Sequence, residues 1–196
     1  LAWQADVSRE PEVLAMVECL VGRFGRLDVL VNNAGTTSYV DFKDLAAATD
    51  ELWREIMATN LMGAWYCSRA AGPHLKRQRG SIVNVASLAG HAAAGSSLPY
   101  GVSKAALIQL TRALAVALAP EVRVNSISPG QVTTRWARVR RSDEFAEALE
   151  RRYAEASPLG RPVSAEDCAR AALGLILADG VTGQDLKVDS GRSLVH

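Results

Sequence analysis

Apolar and polar positions fall in blocks along the chain, and the spacing within a block changes from one to the next. Val13, Leu14, Met16, Val17, Leu20 and Val21 recur at steps of three and four, which predicts a helix with one apolar stripe. Ser8 is placed to cap it, Glu10, Pro11 and Glu12 fill its first turn, and Gly25 stops it. Residues 27–31 form an apolar run broken only by Asp28 and read as a buried strand. A loop over 36–49 follows, then a long helix from Asp50 with Leu52, Ile56, Asn60, Leu61 and Ala64 along one side. Gly80 ends that segment, and 81–86 is the next strand. A stretch rich in Gly and Ser over 87–99 leads to an Ala- and Leu-rich helix over 100–119 and a strand over 123–127. Ser128-Pro129-Gly130 is expected to break regular structure. A mixed-charge helix over 143–156, a helix opened by Ser164-Ala165-Glu166-Asp167 in capping-box style, and a strand over 186–188 follow. Residues 1–5 are short and apolar, and are expected to be a strand as well.

Strands separated by helical segments of this length cannot be hairpins. They imply a parallel sheet with helices on both faces, an α/β architecture read as one domain over 1–196. Composition agrees with that picture. The chain has 196 residues, 48% of them hydrophobic and 22% charged, enough apolar material for one core and too much for a disordered segment. A net charge of +1 leaves no basic field for nucleic acid or an acidic membrane. No apolar run reaches membrane length, since even 105–119 carries Gln109 and Arg112. Cys19, Cys67 and Cys168 are odd in number and far apart, which disfavours a disulfide framework. His74, His91 and His196 lack cluster spacing, so no metal is expected. A soluble cytoplasmic domain fits these bounds.

Candidate chemistry begins with Tyr100 and Lys104, four apart at a helix start and so on one face. A lysine ammonium beside a phenol favours the phenolate and would lower the tyrosine pKa toward a working acid/base range. Such pairs are also common on solvated helices. Ser87 lies 13 residues before Tyr100, just past a strand's carboxyl end, where open α/β sheets place ligands; a plain turn serine is the alternative. Asn60 sits mid-helix despite poor helix propensity, as a functional residue or as a packed polar one. Asn33-Ala34-Gly35 ends a strand with residues that let a ligand approach backbone, or is an ordinary turn.

Taken in order, these elements resemble the classical short-chain dehydrogenase/reductase family. The resemblance rests on Asn32-Asn33-Ala34-Gly35, Asn60 before Leu61-Met62-Gly63, Ser87 before Leu88-Ala89-Gly90, Tyr100 with Lys104, and Pro129-Gly130 running to Thr134. Val124-Asn125 and Gly183-Gln184 fit the same pattern, and the likeness runs from Leu1 to Gly191. It implies a Rossmann-like doubly wound sheet in three α-β-α layers, and hydride exchange between a nicotinamide cofactor, NAD or NADP, and an alcohol or ketone carbon. It further implies Tyr100 as general acid or base, and Lys104 as the group that tunes it and binds the nicotinamide ribose. Ser87 would hold the substrate oxygen, and Asn60 would interrupt its helix and hold a relay water. By the same likeness Asp6 and Val7 lie near the adenine, Asn33, Ala34 and Gly35 beside the adenosine ribose, and Pro129, Gly130, Val132 and Thr134 at the nicotinamide end. Residues 131–163 correspond to a variable substrate lid. Its basic stretch Arg135-Trp136-Ala137-Arg138-Val139-Arg140-Arg141 reads as a solvated face or as a site for an anionic or carrier-linked substrate.

One family feature is missing. The glycine-rich strand–turn–helix that cradles the pyrophosphate has no counterpart here, nor has the second strand whose end chooses NAD or NADP. The sequence is therefore expected to be an N-terminally truncated piece lacking two strands and a helix, and to bind cofactor poorly alone. Two functions remain in view: an oxidoreductase similar to 3-oxoacyl-carrier-protein reductases or to alcohol and sugar dehydrogenases, and a catalytically inactive interaction subunit. Either would assemble as a homodimer or homotetramer through the helices around 50–78 and 100–119. The intact Asn60, Ser87, Tyr100 and Lys104 set argues for the first.

Overall fold

The computed structural model describes residues 1–134 and 142–195. Helix α1 (Glu10–Phe24) buries Val13 and Val17 and ends on Gly25 in the left-handed conformation at φ 73°, which glycine adopts without steric cost. Its start differs from the expected Ser8 cap. Arg9 occupies the N-cap without a side-chain bond, and the Ser8 hydroxyl turns back to donate to Asp6 at 2.7 Å. The expected strand over 1–5 does not form either. A strand exists only where a neighbour pairs its backbone, and among the described residues none lies beside this segment.

Strand β1 (Val29–Asn32) is followed by helix α2 (Asp50–Met57), a π-helical turn (Ala58–Met62) and helix α3 (Gly63–Gln78), which run on as one rod. Thr49 caps its start by accepting from the Leu52 N–H. Strand β2 (Ser81–Val85), a 3₁₀ turn (Leu88–Gly90), helix α4 (Leu98–Ala117), strand β3 (Arg123–Pro129), helix α5 (Asp143–Glu155), helix α6 (Ala165–Leu177) and strand β4 (Asp185–Val188) follow. β3 runs through the Ser128-Pro129 step expected to break it, with Pro129 in register with Val188. Proline removes one donor but keeps the extended φ a strand tolerates, and the ladder resumes as the Gly130 N–H donates to Val188 at 2.9 Å. Ser164 and Asp167 complete the capping box expected for α6.

The four strands are parallel in the order β1-β2-β3-β4. Alternation along them sends Ile82 and Val124 to one face, where they pack with Ala71 and Leu75 of α3 and Leu114 and Ala115 of α4. Val83 and Ile127 point to the other face, against Ala172 and Leu175 of α6. Helices therefore cover both faces, as the hydrophobic pattern implies. No helix among the described residues is long and apolar enough to cross a membrane.

Candidate active site

Parallel strands place all their carboxyl ends along one edge of the sheet. β1 ends at Asn32 and continues as Asn33, Ala34 and Gly35; β2 ends at Val85, two residues before Ser87; β3 ends at Pro129, before Gly130. The register is locked at this edge, where the Ala86 N–H donates to Ile127 at 2.8 Å. Segments far apart in sequence thus meet because the strands that carry them are paired.

Three of the expected side chains converge there. The Ser87 hydroxyl accepts from the Ala89 N–H at 3.2 Å, capping the 3₁₀ turn, and hydrogen-bonds the Tyr100 hydroxyl. Lys104, one helical turn after Tyr100, is only 4% exposed. Its ammonium donates to the Val85 carbonyl at 2.7 Å and lies 5.8 Å from the centre of the Tyr100 ring. Burial lowers the Lys104 pKa to about 8. Close packing holds the group: a Cβ at Gly90 would come within 2.9 Å of the Lys104 backbone, so this turn can approach α4 only as glycine.

The acid/base expectation needs one correction. The Tyr100 pKa stands above its ordinary value, not below it. Burial raises it most, the Ser87 hydrogen bond lowers it, and the Tyr39 phenol raises it further. The Lys104 ammonium is drawn to the Val85 carbonyl and over the ring, so it does not offset the desolvation of the phenolate.

Asn60 lies in the π-helical turn, fully buried, so the helix is interrupted where expected. Its amide oxygen accepts from the Thr36 N–H at 2.7 Å, and its amide nitrogen donates to the Thr36 carbonyl at 3.0 Å and to Ser103 at 2.9 Å. Ser103 in turn donates to the Tyr100 carbonyl at 2.7 Å. Asn60 therefore ties the loop after β1 to the helix that carries Tyr100 and Lys104. Ser103 and Thr36 are the members sequence reasoning misses. The available signal is Ser103 at three residues past Tyr100, where a serine reaches back to the carbonyl of the preceding turn.

The other expected positions divide in two groups. Val7, Asn33, Ala34 and Asn60 line one cavity of about 190 Å³ with Leu30 and Cys67. Gly35 continues that loop, and Val7 lies against Gly63, where any Cβ would come within 2.7 Å of it. Asp6 is exposed and bonds its own neighbours, its carboxylate accepting from Ser8 and its N–H donating to Glu12. Gly130 sits under the Tyr153 ring of α5, whose hydroxyl donates to the Asp189 carbonyl at 2.9 Å. Val132 pairs with Val163 in an isolated parallel bridge, fixing the segment that leads to Thr134. The basic stretch 135–141 and His196 lie outside the described residues. Among those described, no group of acidic, histidine and cysteine side chains could hold a metal.

A Ser–Tyr–Lys set at the carboxyl edge of a parallel sheet, half-buried at Ser87 and Tyr100 and buried at Lys104, agrees with the comparisons. The family model described as enoyl-(acyl carrier protein) reductase matches residues 1–193. The chain belongs to the short-chain dehydrogenase/reductase family. Within it, the chain is 48% identical over 193 residues to the "Granaticin polyketide synthase putative ketoacyl reductase 2" of Streptomyces violaceoruber, covering 98% of this chain and 76% of that one. The ligand-free aldohexose dehydrogenase of Thermoplasma acidophilum superposes with a TM-score of 0.89 at 30% identity, over 98% of this chain and 78% of that one. The structure of ElxO with NADP bound gives 0.87 at 29% identity, over 98% and 77%.

Members of this family use a nicotinamide cofactor, and the residues present fit one end of it. Lys104 gives one of three N–H donors to Val85, leaving two that a sugar diol would take.

Proposed function

We propose that this chain is the catalytic part of an NAD(P)-dependent oxidoreductase that interconverts a ketone and a secondary alcohol on a small substrate. The preferred reading is a 3-oxoacyl-type reductase, with alcohol or sugar dehydrogenation as the neighbouring possibility. The observation that carries it is the Ser87–Tyr100 hydrogen bond above buried Lys104. In reduction, the neutral Tyr100 hydroxyl gives its proton to the carbonyl oxygen; in oxidation the phenolate takes it back. The raised Tyr100 pKa keeps the proton in place until it is needed. Ser87 donates to the same oxygen as negative charge develops; the Lys104 ammonium, held on the Val85 carbonyl, lies 5.8 Å from the ring centre. The cofactor, when bound, supplies or accepts the hydride.

Tyr100 and Lys104 would hold the nicotinamide ribose, with Pro129, Gly130, Val132 and Thr134 at the nicotinamide and the lid over 131–163 closing on the substrate. Asn33, Ala34 and Gly35 would run beside the adenosine ribose, and Asp6 and Val7 near the adenine. A water at the π-helical turn by Asn60 would link Lys104 to solvent. Assembly as a homodimer or homotetramer would use the exposed faces of the α2–α3 rod and of α4. The intact Ser–Tyr–Lys geometry gives an inactive interaction subunit no support.

The test is a panel of 3-oxoacyl thioesters, simple ketones and sugars, run with saturating NADH and NADPH on the chain and on Tyr100→Phe. Turnover should fall about 100-fold or more in the variant. Near-normal turnover would remove Tyr100 as the proton donor.

A further inference from the structure

Asp185 opens β4 beside Ser126 of β3, and its side chain is 5% exposed. A carboxylate this far from water is costly unless its oxygens are met by donors, and here they are. One oxygen accepts from the Ser126 hydroxyl and, at 2.9 Å, from the Ser128 hydroxyl. The other lies 2.8 Å from Nε2 of His91, which is also 3.2 Å from the Ser128 hydroxyl. Ser126 and Ser128 point to the same sheet face as Val124 and Asn84, where the apolar core gives way to a buried polar row toward the carboxyl edge. His91 ties that row to the neighbouring turn. It is the residue that ends the 3₁₀ turn whose first residue is capped by Ser87, and its N–H donates to the Leu88 carbonyl at 2.9 Å.

We propose that His91 and Asp185 form a clasp that positions Ser87 against Tyr100. The turn between Ser87 and His91 is one short unit gripped at two points. Gly90 lies hard against the Lys104 backbone, and the His91 ring is pinned to the sheet. With the ring released, the turn can rotate about its Gly90 contact and carry the Ser87 hydroxyl off the Tyr100 phenol. His91, 27% exposed at its side chain, touches neither Tyr100 nor Ser87 directly, so it is a positioning residue. The proposal rests on the Ser87–Tyr100 pairing described above.

The reporter is Tyr100 itself, followed as the deprotonation midpoint of its ¹³Cζ resonance in ring-labelled protein and assigned with Tyr100→Phe. Because the Ser87 hydrogen bond lowers this midpoint, Ser87→Ala should raise it by about half a pH unit or more. His91→Ala should raise it as far, and His91→Gln, whose amide N–H can still reach Asp185, should restore the original value. The double variant His91→Ala/Asp185→Thr removes the orphaned carboxylate with its partner and should show the same rise, so it carries the measurement where the single variant folds poorly. A midpoint unmoved in both His91→Ala and the double variant while Ser87→Ala shifts it overturns the clasp and leaves the Ser87–Tyr100 pairing standing. A midpoint unmoved in Ser87→Ala overturns the pairing and the clasp together.

Discussion

Lys104 is a residue whose burial opposes stability and serves chemistry. Its pKa of about 8 in the folded chain lies below its ordinary value of 10.5, so between these values the unfolded chain binds more protons than the folded one. Stability from this group therefore rises with pH across that window and is lowest below pH 8, where the ammonium is charged in both states. Lys104→Met should remove activity yet raise stability at pH 7 by ~1–3 kcal/mol, with most of that gain gone at pH 10. Urea unfolding at the two pH values checks this, and an equal gain at both would show that desolvation of the charge is not the cause. At this scale Tyr100, Lys104 and Ser87 were legible in the sequence, because a four-residue helical step and a strand end are local facts. The direction of the Tyr100 pKa was not legible, since it depends on how far the fold takes the phenol from water. Asn60 was visible as an anomaly, but its partners Thr36 and Ser103 come from a separate loop and helix.

Element by element, the periodic signals held and the local capping signals were less secure. The helices at 10–24 and 98–117 and the strand at 81–85 emerge near their expected bounds because burial fixes their period. Ser8 is not the cap because the helix begins at Glu10, which puts Arg9 at the N-cap position and leaves the Ser8 hydroxyl to donate to Asp6, and the strand expected over 1–5 failed for want of a neighbour. The seating of α5 was not readable at all. Tyr153 rests on Gly130, and a Cβ there would fall 1.7 Å from the phenol oxygen. Phe145, at the start of the same helix, meets Tyr39 edge-to-face with centroids 5.8 Å apart. Helix α5 thus docks through one aromatic on the end of β3 and another on the loop after β1. Gly130→Ala should unseat Tyr153 and break its bond to Asp189. Adding Tyr153→Ala should make the glycine change nearly neutral, a coupling of about 1–3 kcal/mol by thermal unfolding. Additive effects would mean that Gly130 and Tyr153 do not share that space.

At the scale of the whole molecule, the layers are unequal. α3 and α4 cover one face of the sheet, while α6 packs on β2, β3 and β4 and, among the described residues, makes no comparable contact with β1. The consequence is visible in the strand: Val29 and Val31, two apart and so on that same face, are 36% and 46% exposed. β1 is also an edge strand, so unpaired backbone and apolar side chains lie together, the combination that invites sheet-to-sheet association. A second apolar surface competes for the same role. Val102 and Val116 of α4 stand fourteen residues apart, hence on one helical face, and Val116 is 81% exposed. The two surfaces make separable predictions. If the sheet edge drives self-association, Val29→Lys/Val31→Lys should give a single species whose sedimentation coefficient no longer changes with concentration, and Val116→Glu should leave the association as it was. If the helix faces assemble the protein, Val116→Glu alone should lower the mass of the main species. The bare edge favours the first for these 196 residues, because it exposes hydrogen-bonding groups as well as methyls and a helix face exposes only methyls. Dissociation by Val116→Glu but not by the paired lysines would reject that ordering.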